Sequence, residues 1–296
     1  MTGFPVQAAD PLRPPANMRT VRPVAELREA VRGWRREGLS VGLVPTMGAI
    51  HDGHLSLVRA LRPRCDRIVV SLFVNPTQFG ANEDIATYPA NEELDAARLA
   101  GAGVDLLYAP RVADMYPDGF ATTVTVSGIT EGLCGAFRPG HFAGVATVVS
   151  KLLLQAAPDI AIFGEKDYQQ LQVIRRMARD LDIPVEIAGA PTVREADGLA
   201  LSSRNFYLSP EERAAAPALY RTLKAVAGQV AGGTADCAAA CRTAERDLLD
   251  AGFQSVDYIA VCDAETLQPL ARADRPARVL GAARLGRARL IDNLAV

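Results

Sequence analysis

Several features are missing from this chain, and each absence excludes a class of protein. No run of about 18 or more apolar residues is present, so a membrane-spanning helix is not expected. No basic excess or basic stripe is present either, since 32 basic residues stand against 34 acidic ones, which argues against nucleic acid as a partner. The five cysteines are scattered and odd in number, which argues against a disulfide framework. We therefore expect a reduced cytoplasmic enzyme.

The N-terminus also lacks the apolar core of a secretory leader, and its first 17 residues contain four prolines. We expect residues 1–18 to form a flexible extension. The remaining composition is that of a globular protein. With 49% hydrophobic residues in a chain of 296, there is enough apolar surface for one large or two moderate domains.

Short apolar segments alternate with helix-like segments over the first two-thirds of the chain. The predicted strands are 41–46, 67–74, 104–108, 159–163 and 184–188. The predicted helices are 54–62, 91–102, 141–156 and 167–180. Apolar strands separated by helices are typical of a parallel sheet that is covered on both faces. The sequence therefore predicts a doubly wound, Rossmann-like α/β domain, to which we assign residues 19–192.

The pattern changes after about residue 192. Ser209, Pro210 and Glu211 make a typical helix start, with serine as the N-cap and proline in the first position. Helices are predicted over 211–231 and 235–251, and strands over 256–261, 277–281 and 287–291. We interpret residues 193–296 as a second, smaller α+β domain.

The densest group of candidate functional residues lies between the first predicted strand and the following helix. Two of the three histidines of the chain fall in the tetrapeptide His51-Asp52-Gly53-His54. This edge of an open parallel sheet binds ligands, and the free N–H groups of a helix N-terminus suit phosphate. Either imidazole can donate a hydrogen bond and carry a proton near neutral pH. The alternative is a glycine-containing turn with incidental histidines.

Other segments carry polar side chains at similar positions. Gln78 follows the second predicted strand, and its amide can both donate and accept hydrogen bonds. Lys166 opens the helix 167–180, and Gln170 lies one helical turn later. The loop that ends at Arg204 offers two hydroxyls and a guanidinium. Each segment also has a plainer interpretation, as an Asn-Pro turn, a charged first helical turn or a solvated loop. For His141, near a helix start, we expect a structural role.

Together these segments resemble the pantothenate synthetase family, within the larger group of nucleotidylyltransferases and class I aminoacyl-tRNA synthetases that share a His-x-Gly-His signature. The matching blocks are Pro45 to His54, Phe73 to Phe79, Arg138 to Phe142, Phe163 to Gln170 and Leu199 to Asn205. They occur in the order of the family, from about residue 19 to the C-terminus. Two positions differ: Leu201 stands where many members have methionine, and Ala90 follows Tyr88-Pro89 where members often have arginine.

The resemblance implies an ATP-dependent ligase that joins pantoate to β-alanine through a pantoyl adenylate, with Mg²⁺ accompanying ATP. It implies His54, His51 and Lys166 as catalytic residues, and Gln78 and Gln170 as ligands of pantoate or β-alanine. It also implies a homodimer and a role as a lid for residues 193–296. The residues that it implies for ATP binding are Met47, Gly48, Ala49, Ile50, His51, Asp52, Gly53, His54, Gly164, Glu165, Lys166, Asp167, Val193, Leu201, Ser202, Ser203 and Arg204.

Other functions fit parts of the same pattern. A nucleotidylyltransferase that transfers AMP to a phosphorylated acceptor shares the histidine signature but gives no role to Gln78 and Gln170. A non-catalytic ATP-binding regulator is disfavoured by the intact histidines and Lys166. An aminoacyl-tRNA synthetase is disfavoured by the length of the chain and by the absence of a basic surface signal.

Overall fold

The structure is a computed structural model that describes residues 18–80, 85, 89, 91–233 and 235–296. Residues 1–17 of the expected extension, together with Tyr88 and Ala90, lie outside the described residues. The strands are β1 (Arg19–Val21), β2 (Val41–Thr46), β3 (Arg67–Leu72), β4 (Leu106–Tyr108), β5 (Ile160–Gly164), β6 (Glu186–Ala190), β7 (Ser255–Asp263), β8 (Ala277–Leu285) and β9 (Ala288–Ala295). The helices are α1 (Val24–Arg36), α2 (Asp52–Leu61), α3 (Glu92–Gly101), α4 (Val112–Met115), α5 (Cys134–Phe137), α6 (His141–Ala156), α7 (Tyr168–Asp180), α8 (Pro210–Ala215), α9 (Ala218–Val230) and α10 (Cys237–Asp250).

Six parallel strands form the larger sheet, in the order β1-β4-β3-β2-β5-β6. Successive side chains of a strand point to opposite faces of the sheet. Leu43 therefore enters the core that α1 and α6 cover, whereas Val44 enters the core that α2 and α3 cover. Because both faces are buried, the strands appear in the sequence as continuous apolar runs. The predicted doubly wound α/β fold is confirmed.

The direction in which strands are added reverses between β2 and β5. Strands β3 and β4 lie on one side of β2, and strands β5 and β6 lie on the other. In an open parallel sheet, a crevice forms at the carboxyl ends of the strands on either side of such a reversal. The segment after β2 and the segment after β5 both lead into this crevice, which brings residues 47–54 close to residues 164–170.

Three antiparallel strands form the smaller sheet, in the order β7-β8-β9. Helices α9 and α10 share an apolar core with one face of this sheet. The other face contacts the start of α7, where Tyr168 packs with Cys262 and Leu280. The predicted smaller α+β part is thus confirmed, while its boundary at residue 192 stays a prediction.

The observed elements differ from the predicted ones in a few places. Strand β1 and helix α1 were not predicted, and β1 has only three residues, which is too short for a periodic pattern. The single helix predicted over 211–231 is wrong, because Pro217 has no N–H to donate and separates α8 from α9. Strands β8 and β9 run several residues beyond the predicted ends. Among the described residues, none of the helices is long and apolar enough to cross a membrane.

Candidate active site

A cleft lies at the crevice between β2 and β5, with one wall formed by the segment 191–204. Helix α6 supplies an apolar wall with Val145, Val148, Val149 and Leu152. Most of the residues expected from the sequence line the cleft, namely Met47, His51, Gly53, His54, Gln78, Gly164, Lys166, Asp167, Gln170, Val193, Leu201, Ser202, Ser203 and Arg204. Five expected residues are not among those that line it, namely Gly48, Ala49, Ile50, Asp52 and Glu165.

The two histidines of the signature cap helix α2 in a reciprocal arrangement. The Nδ1 of His51 accepts the N–H of Gly53 at 3.1 Å, and the Nδ1 of His54 accepts the N–H of His51 at 3.3 Å. A neutral imidazole that accepts at Nδ1 carries its proton on Nε2, so each ring keeps an Nε2–H donor. Glycine is required at position 53, since a Cβ there would lie 2.8 Å from the His51 ring. The spacing of the signature therefore fixes both rings.

Burial makes both imidazoles neutral. Loss of solvent, followed by the positive charge of Lys166, lowers the pKa of His51 to about 4. Loss of solvent, followed by the neighbouring His51, lowers the pKa of His54 to about 3. The expectation that either ring carries a proton near neutral pH is therefore wrong. At pH 7 the two rings are neutral hydrogen-bond donors.

The turn between β2 and α2 is held from behind by helix α3. The buried carboxylate of Asp95 accepts the N–H of Ala49 at 2.8 Å and the N–H of Ile50 at 2.7 Å. Arg98 donates to the carbonyl oxygen of Ile50. Ala49 has a φ of 52°, a left-handed conformation that is unfavourable for a residue with a side chain. The amides of Ala49 and Ile50, expected at the nucleotide, are thus bonded to Asp95, a residue that the sequence analysis missed.

Gln78 lies in the short 3-10 turn after β3, on the side of the cleft formed by α6. Its Oε1 accepts from Nδ2 of Asn75 at 3.1 Å, and its Nε2 lies 2.9 Å from the sulfur of Met47. Asn75 is only 1% exposed and also donates to the carbonyl oxygen of Gly144 at 3.2 Å. Asn75 therefore ties the turn to α6 and orients Gln78, although the sequence suggested only an Asn-Pro turn.

His141 supports the same turn from the start of α6. Its Nδ1 lies 2.9 Å from the carbonyl oxygen of Gln78, and its Nε2 lies 2.9 Å from Nη1 of Arg138. A guanidinium can only donate, so Nε2 accepts and Nδ1–H donates to Gln78. This geometry agrees with the structural role expected for His141.

The turn after β5 presents Lys166 and Asp167 to the cleft, with Nζ 3.9 Å from the carboxylate. The smaller sheet holds the other side of this turn. Nδ2 of Asn293 donates to the carbonyl oxygens of Glu165 at 2.8 Å and of Lys166 at 3.0 Å. Arg278 donates to the carboxylate of Glu165 at 2.9 Å. Glu165, which was expected at the nucleotide, is therefore paired with the smaller sheet.

The last wall of the cleft is a short hairpin between Val193 and Leu201. The N–H of Leu201 donates to the carbonyl oxygen of Val193 at 2.9 Å, and Arg194 and Ala200 form an antiparallel bridge inside it. The 3-10 turn that follows is capped by Ser202, whose Oγ accepts the N–H of Arg204 at 3.2 Å. Val193 and Leu201, which are expected at ATP, thus belong to one hydrogen-bonded hairpin, and Ser202 and Arg204 belong to the capped turn that follows it.

Comparison with known proteins identifies the family of the chain. The chain matches the family model described as Pantoate-beta-alanine ligase over residues 19–295. A pantothenate synthetase from Paramagnetospirillum magneticum is 65% identical over 276 residues, which cover 93% of this chain and 97% of that protein. One from Rhodospirillum rubrum is 60% identical over 278 residues, which cover 93% and 98%.

Solved structures agree with the sequence matches. The crystal structure of pantothenate synthetase from Thermus thermophilus has a TM-score of 0.88 and 55% identity, and the match covers 94% of this chain and 99% of that chain. The Francisella tularensis pantoate-beta-alanine ligase, complexed with beta-gamma ATP and beta-alanine, has a TM-score of 0.80 and 34% identity, with 94% and 97% covered. The resemblance found in the sequence is confirmed, and the chain belongs to the pantoate–β-alanine ligase family.

Proposed function

We propose that this ligase condenses pantoate with β-alanine in an ATP-dependent reaction that yields pantothenate, AMP and pyrophosphate. The family match supports the overall reaction. The Francisella relative, solved with beta-gamma ATP and beta-alanine, supports two of the substrates. The observation that carries the mechanism is the convergence of phosphate-suited donors from both parts of the chain on one cleft. The family assignment also replaces the alternative of a nucleotidylyltransferase.

In the proposed first step, the carboxylate of pantoate attacks the α-phosphorus of ATP, and pyrophosphate leaves. Negative charge then builds on the phosphate oxygens, and fixed donors around the cleft offset it. The amides of Gly53 and His54 at the start of α2 are occupied by its cap, and the donors that we assign to this helix start are the Nε2–H groups of His51 and His54. Lys166 and Arg204 add full positive charges from the facing segments.

In the second step, the amine of β-alanine attacks the activated carbonyl of pantoyl adenylate, and AMP leaves. We assign Gln78 and Gln170 to pantoate, because an amide both donates and accepts and so matches hydroxyl and carboxylate groups. Gln78 is 8% exposed and held by Asn75, so its amide is oriented before the substrate arrives. The valines of α6 offer an apolar surface to the methyl groups of pantoate.

We include Mg²⁺ as the companion of ATP, held mainly by phosphate oxygens and water. Within the described ranges, no group of three or more histidine, cysteine, aspartate or glutamate side chains is placed to hold a metal ion. We therefore propose that the ion arrives with the nucleotide. Asp167 lines the cleft with a side chain that is 48% exposed, and it would contribute one carboxylate. When bound, the ion neutralises part of the phosphate charge.

We further propose a cytoplasmic homodimer in which residues 193–296 act as the lid domain. The family resemblance supports the dimer. The five cysteines are all free, which fits a reducing compartment. The position of the 193–201 hairpin over the cleft supports the lid. Sedimentation equilibrium of the purified protein measures the number of subunits, and a monomer at micromolar concentration would refute the dimer.

Pyrophosphate exchange tests the order of the two steps. Labelled pyrophosphate is expected to enter ATP in the presence of pantoate and Mg²⁺ with β-alanine absent, because adenylate formation is reversible while the adenylate stays shielded from water. Strict dependence of the exchange on β-alanine would indicate a concerted route. Release of ADP and inorganic phosphate would exclude the adenylate altogether.

A further inference from the structure

Asp292 and Asn293, near the end of β9, contact both of the segments that carry the proposed phosphate ligands. We propose that this pair is a positioning element, which fixes the Lys166 turn and the 193–204 hairpin relative to each other for adenylate formation. The proposal rests on the function proposed above and deepens it. It assigns a role in the reaction to residues that do not line the main cleft.

Asp292 holds the hairpin through Arg194. The guanidinium donates in bidentate fashion to the carboxylate, at 2.6 Å to Oδ2 and 2.8 Å to Oδ1. The same guanidinium donates to the carbonyl oxygen of Gly198 at 3.0 Å and lies 4.2 Å above the ring of Tyr220. The side chains of Arg194 and Asp292 are 17% and 3% exposed. Arg194 is therefore fixed on several sides, and this fixes the position of Val193, its neighbour in the chain.

The side chain of Asn293 holds the backbone of the Lys166 turn. Its Nδ2 donates to two successive carbonyl oxygens, those of Glu165 and Lys166. Its Oδ1 accepts from Nη1 of Arg278 at 2.9 Å, and the other end of that guanidinium reaches the carboxylate of Glu165. These bonds satisfy every hydrogen-bonding group of the amide side chain except a second acceptor lone pair. The turn is thus fixed where Lys166 leaves it.

One short piece of strand can hold both segments because its side chains alternate. Asp292 points to the face that α9 covers, and Asn293 points to the opposite face, toward the larger sheet. Both residues are 4% exposed. The N–H of Asn293 also donates to Oδ1 of Asp292 at 2.8 Å. A continuous series of hydrogen bonds therefore joins Arg194 to the backbone of Lys166.

The reaction gives this connection a role beyond stability. Lys166 and Arg204 come from different parts of the chain, yet both are assigned to the phosphates of one nucleotide. Their donors must match the transition state in distance, and a misplacement of about 1 Å costs about 10²-fold in rate. A change at Asn293 or Arg194 should therefore lower the rate of adenylate formation more than it changes the use of pantoate.

The experiment compares Arg194→Lys and Asn293→Ala with a matched control on the same sheet, Arg289→Lys. Arg289 also forms a buried ion pair, with Nε 2.7 Å from Asp257 and side chains 14% and 9% exposed. Its hydrogen-bond partners, Asp257 and Cys134, lie outside both phosphate-binding segments. Melting temperature, the rate of pyrophosphate exchange, the KM of pantoate and the calorimetric affinity for α,β-methylene-ATP are measured for each protein.

We expect Arg194→Lys and Asn293→Ala to slow exchange by about 10- to 100-fold, with the KM of pantoate within about twofold of wild type. Arg289→Lys, at a similar loss of melting temperature, should leave exchange within about threefold of wild type. In a Lys166→Ala background, Asn293→Ala should slow exchange by less than about threefold, because a residue that acts through Lys166 loses its effect when Lys166 is gone.

The outcomes separate this inference from the function on which it rests. Absence of exchange in the wild-type protein would overturn the proposed adenylate step and this role with it. Exchange in the wild type, with losses in Arg194→Lys and Asn293→Ala no larger than in Arg289→Lys, would overturn the positioning role alone. If the effects of Asn293→Ala and Lys166→Ala on the rate of exchange are fully additive, Asn293 does not act through Lys166, and its positioning role is overturned. If Arg194→Lys does not fold, the comparison of Asn293→Ala in the wild-type and Lys166→Ala backgrounds decides the result.

Discussion

Replacing Gly144 by alanine measures how closely helix α6 supports the turn that carries Gln78. A Cβ at position 144 would lie 2.4 Å from the carbonyl oxygen of Thr77 and 2.7 Å from the backbone nitrogen of Gln78. Ordinary contacts of a Cβ begin near 3.4 Å, so the helix and the turn must separate by about 1 Å. The atoms in the way belong to the backbone, and a change of side-chain rotamer cannot relieve the contact.

Two opposing effects set the size of the change in stability. Alanine in a helix interior is more favourable than glycine by about 0.5–1 kcal/mol. Overpacking of a close contact costs about 1–3 kcal/mol, and the hydrogen bond from Asn75 to the carbonyl oxygen of Gly144 is strained as well. We expect a net loss of about 1–2 kcal/mol in the free energy of unfolding. Displacement of Gln78 by about 1 Å should also lower kcat/KM for pantoate by about 10-fold or more.

Urea unfolding and steady-state kinetics with each substrate varied in turn measure both effects. Gly228→Ala in α9 is the matched control, because no heavy atom lies within 4 Å of a Cβ at that position. It should raise the free energy of unfolding by about 0.5–1 kcal/mol and leave the kinetics unchanged. A Gly144→Ala protein that is as stable as wild type, with an unchanged kcat/KM for pantoate, would refute the close contact and its role.

Loss of one phosphate donor, in His54→Ala or Lys166→Ala, should slow pyrophosphate exchange by about 10²–10³-fold in a folded protein, and a variant with normal turnover would remove that residue from the mechanism. Gln170→Ala should raise the KM of pantoate far more than that of ATP, whereas equal changes would indicate a structural glutamine. Asp95→Asn places an amide donor against one of the two backbone N–H groups that donate to the carboxylate. Urea unfolding should show that the free energy of unfolding decreases by about 1.5–3 kcal/mol. An unchanged midpoint would show that other contacts hold the turn. The pKa values of His51 and His54, about 4 and 3, lie below the ordinary value of a histidine. Below about pH 6.5 the unfolded chain therefore binds more protons than the folded one. As the pH is lowered, the free energy of unfolding decreases by up to about 1.4 kcal/mol per pH unit for each histidine. Unfolding of the double variant His51→Asn, His54→Asn should show a flatter slope between about pH 6 and pH 5, and a slope equal to that of wild type would contradict the lowered pKa values.

The parts of the fold that were predictable are those whose signal is local. Strand β2 has the same ends in the prediction and in the structure, because its apolar run is bounded by polar and glycine-containing segments. Helix α6 also matches, because 141–156 shows a helical apolar pattern over its whole length. Strand β1 was not predictable, because three residues are too few to show an alternation of apolar and polar side chains, and its pairing with β4 is a contact between distant segments.

The place of a residue in the cleft was predictable where a short motif follows a strand at the open edge of the sheet, as for the pair His51 and His54. It was not predictable where a residue acts on a distant segment. Asp95 lies 46 positions from Ala49, and Asn293 lies 127 positions from Lys166. Neither has a neighbour in sequence that indicates its partner, because the partner is chosen by how α3 and β9 pack against the larger sheet. Such contacts become visible only once the elements are in place.

The neutrality of the two signature histidines bears on how the cleft releases its products. A positive charge attracts an anion over many ångströms, whereas a neutral N–H donor contributes only while its hydrogen bond is intact. In the proposed mechanism, Lys166 and Arg204 would provide the long-range attraction, and His51 and His54 would provide contacts that end once their hydrogen bonds break. Had all four groups been cationic, pyrophosphate would leave the cleft against twice the number of full charges. Burial of the two rings, which lowers their pKa values to about 4 and 3, therefore halves the number of full positive charges that the proposed mechanism places around pyrophosphate at neutral pH.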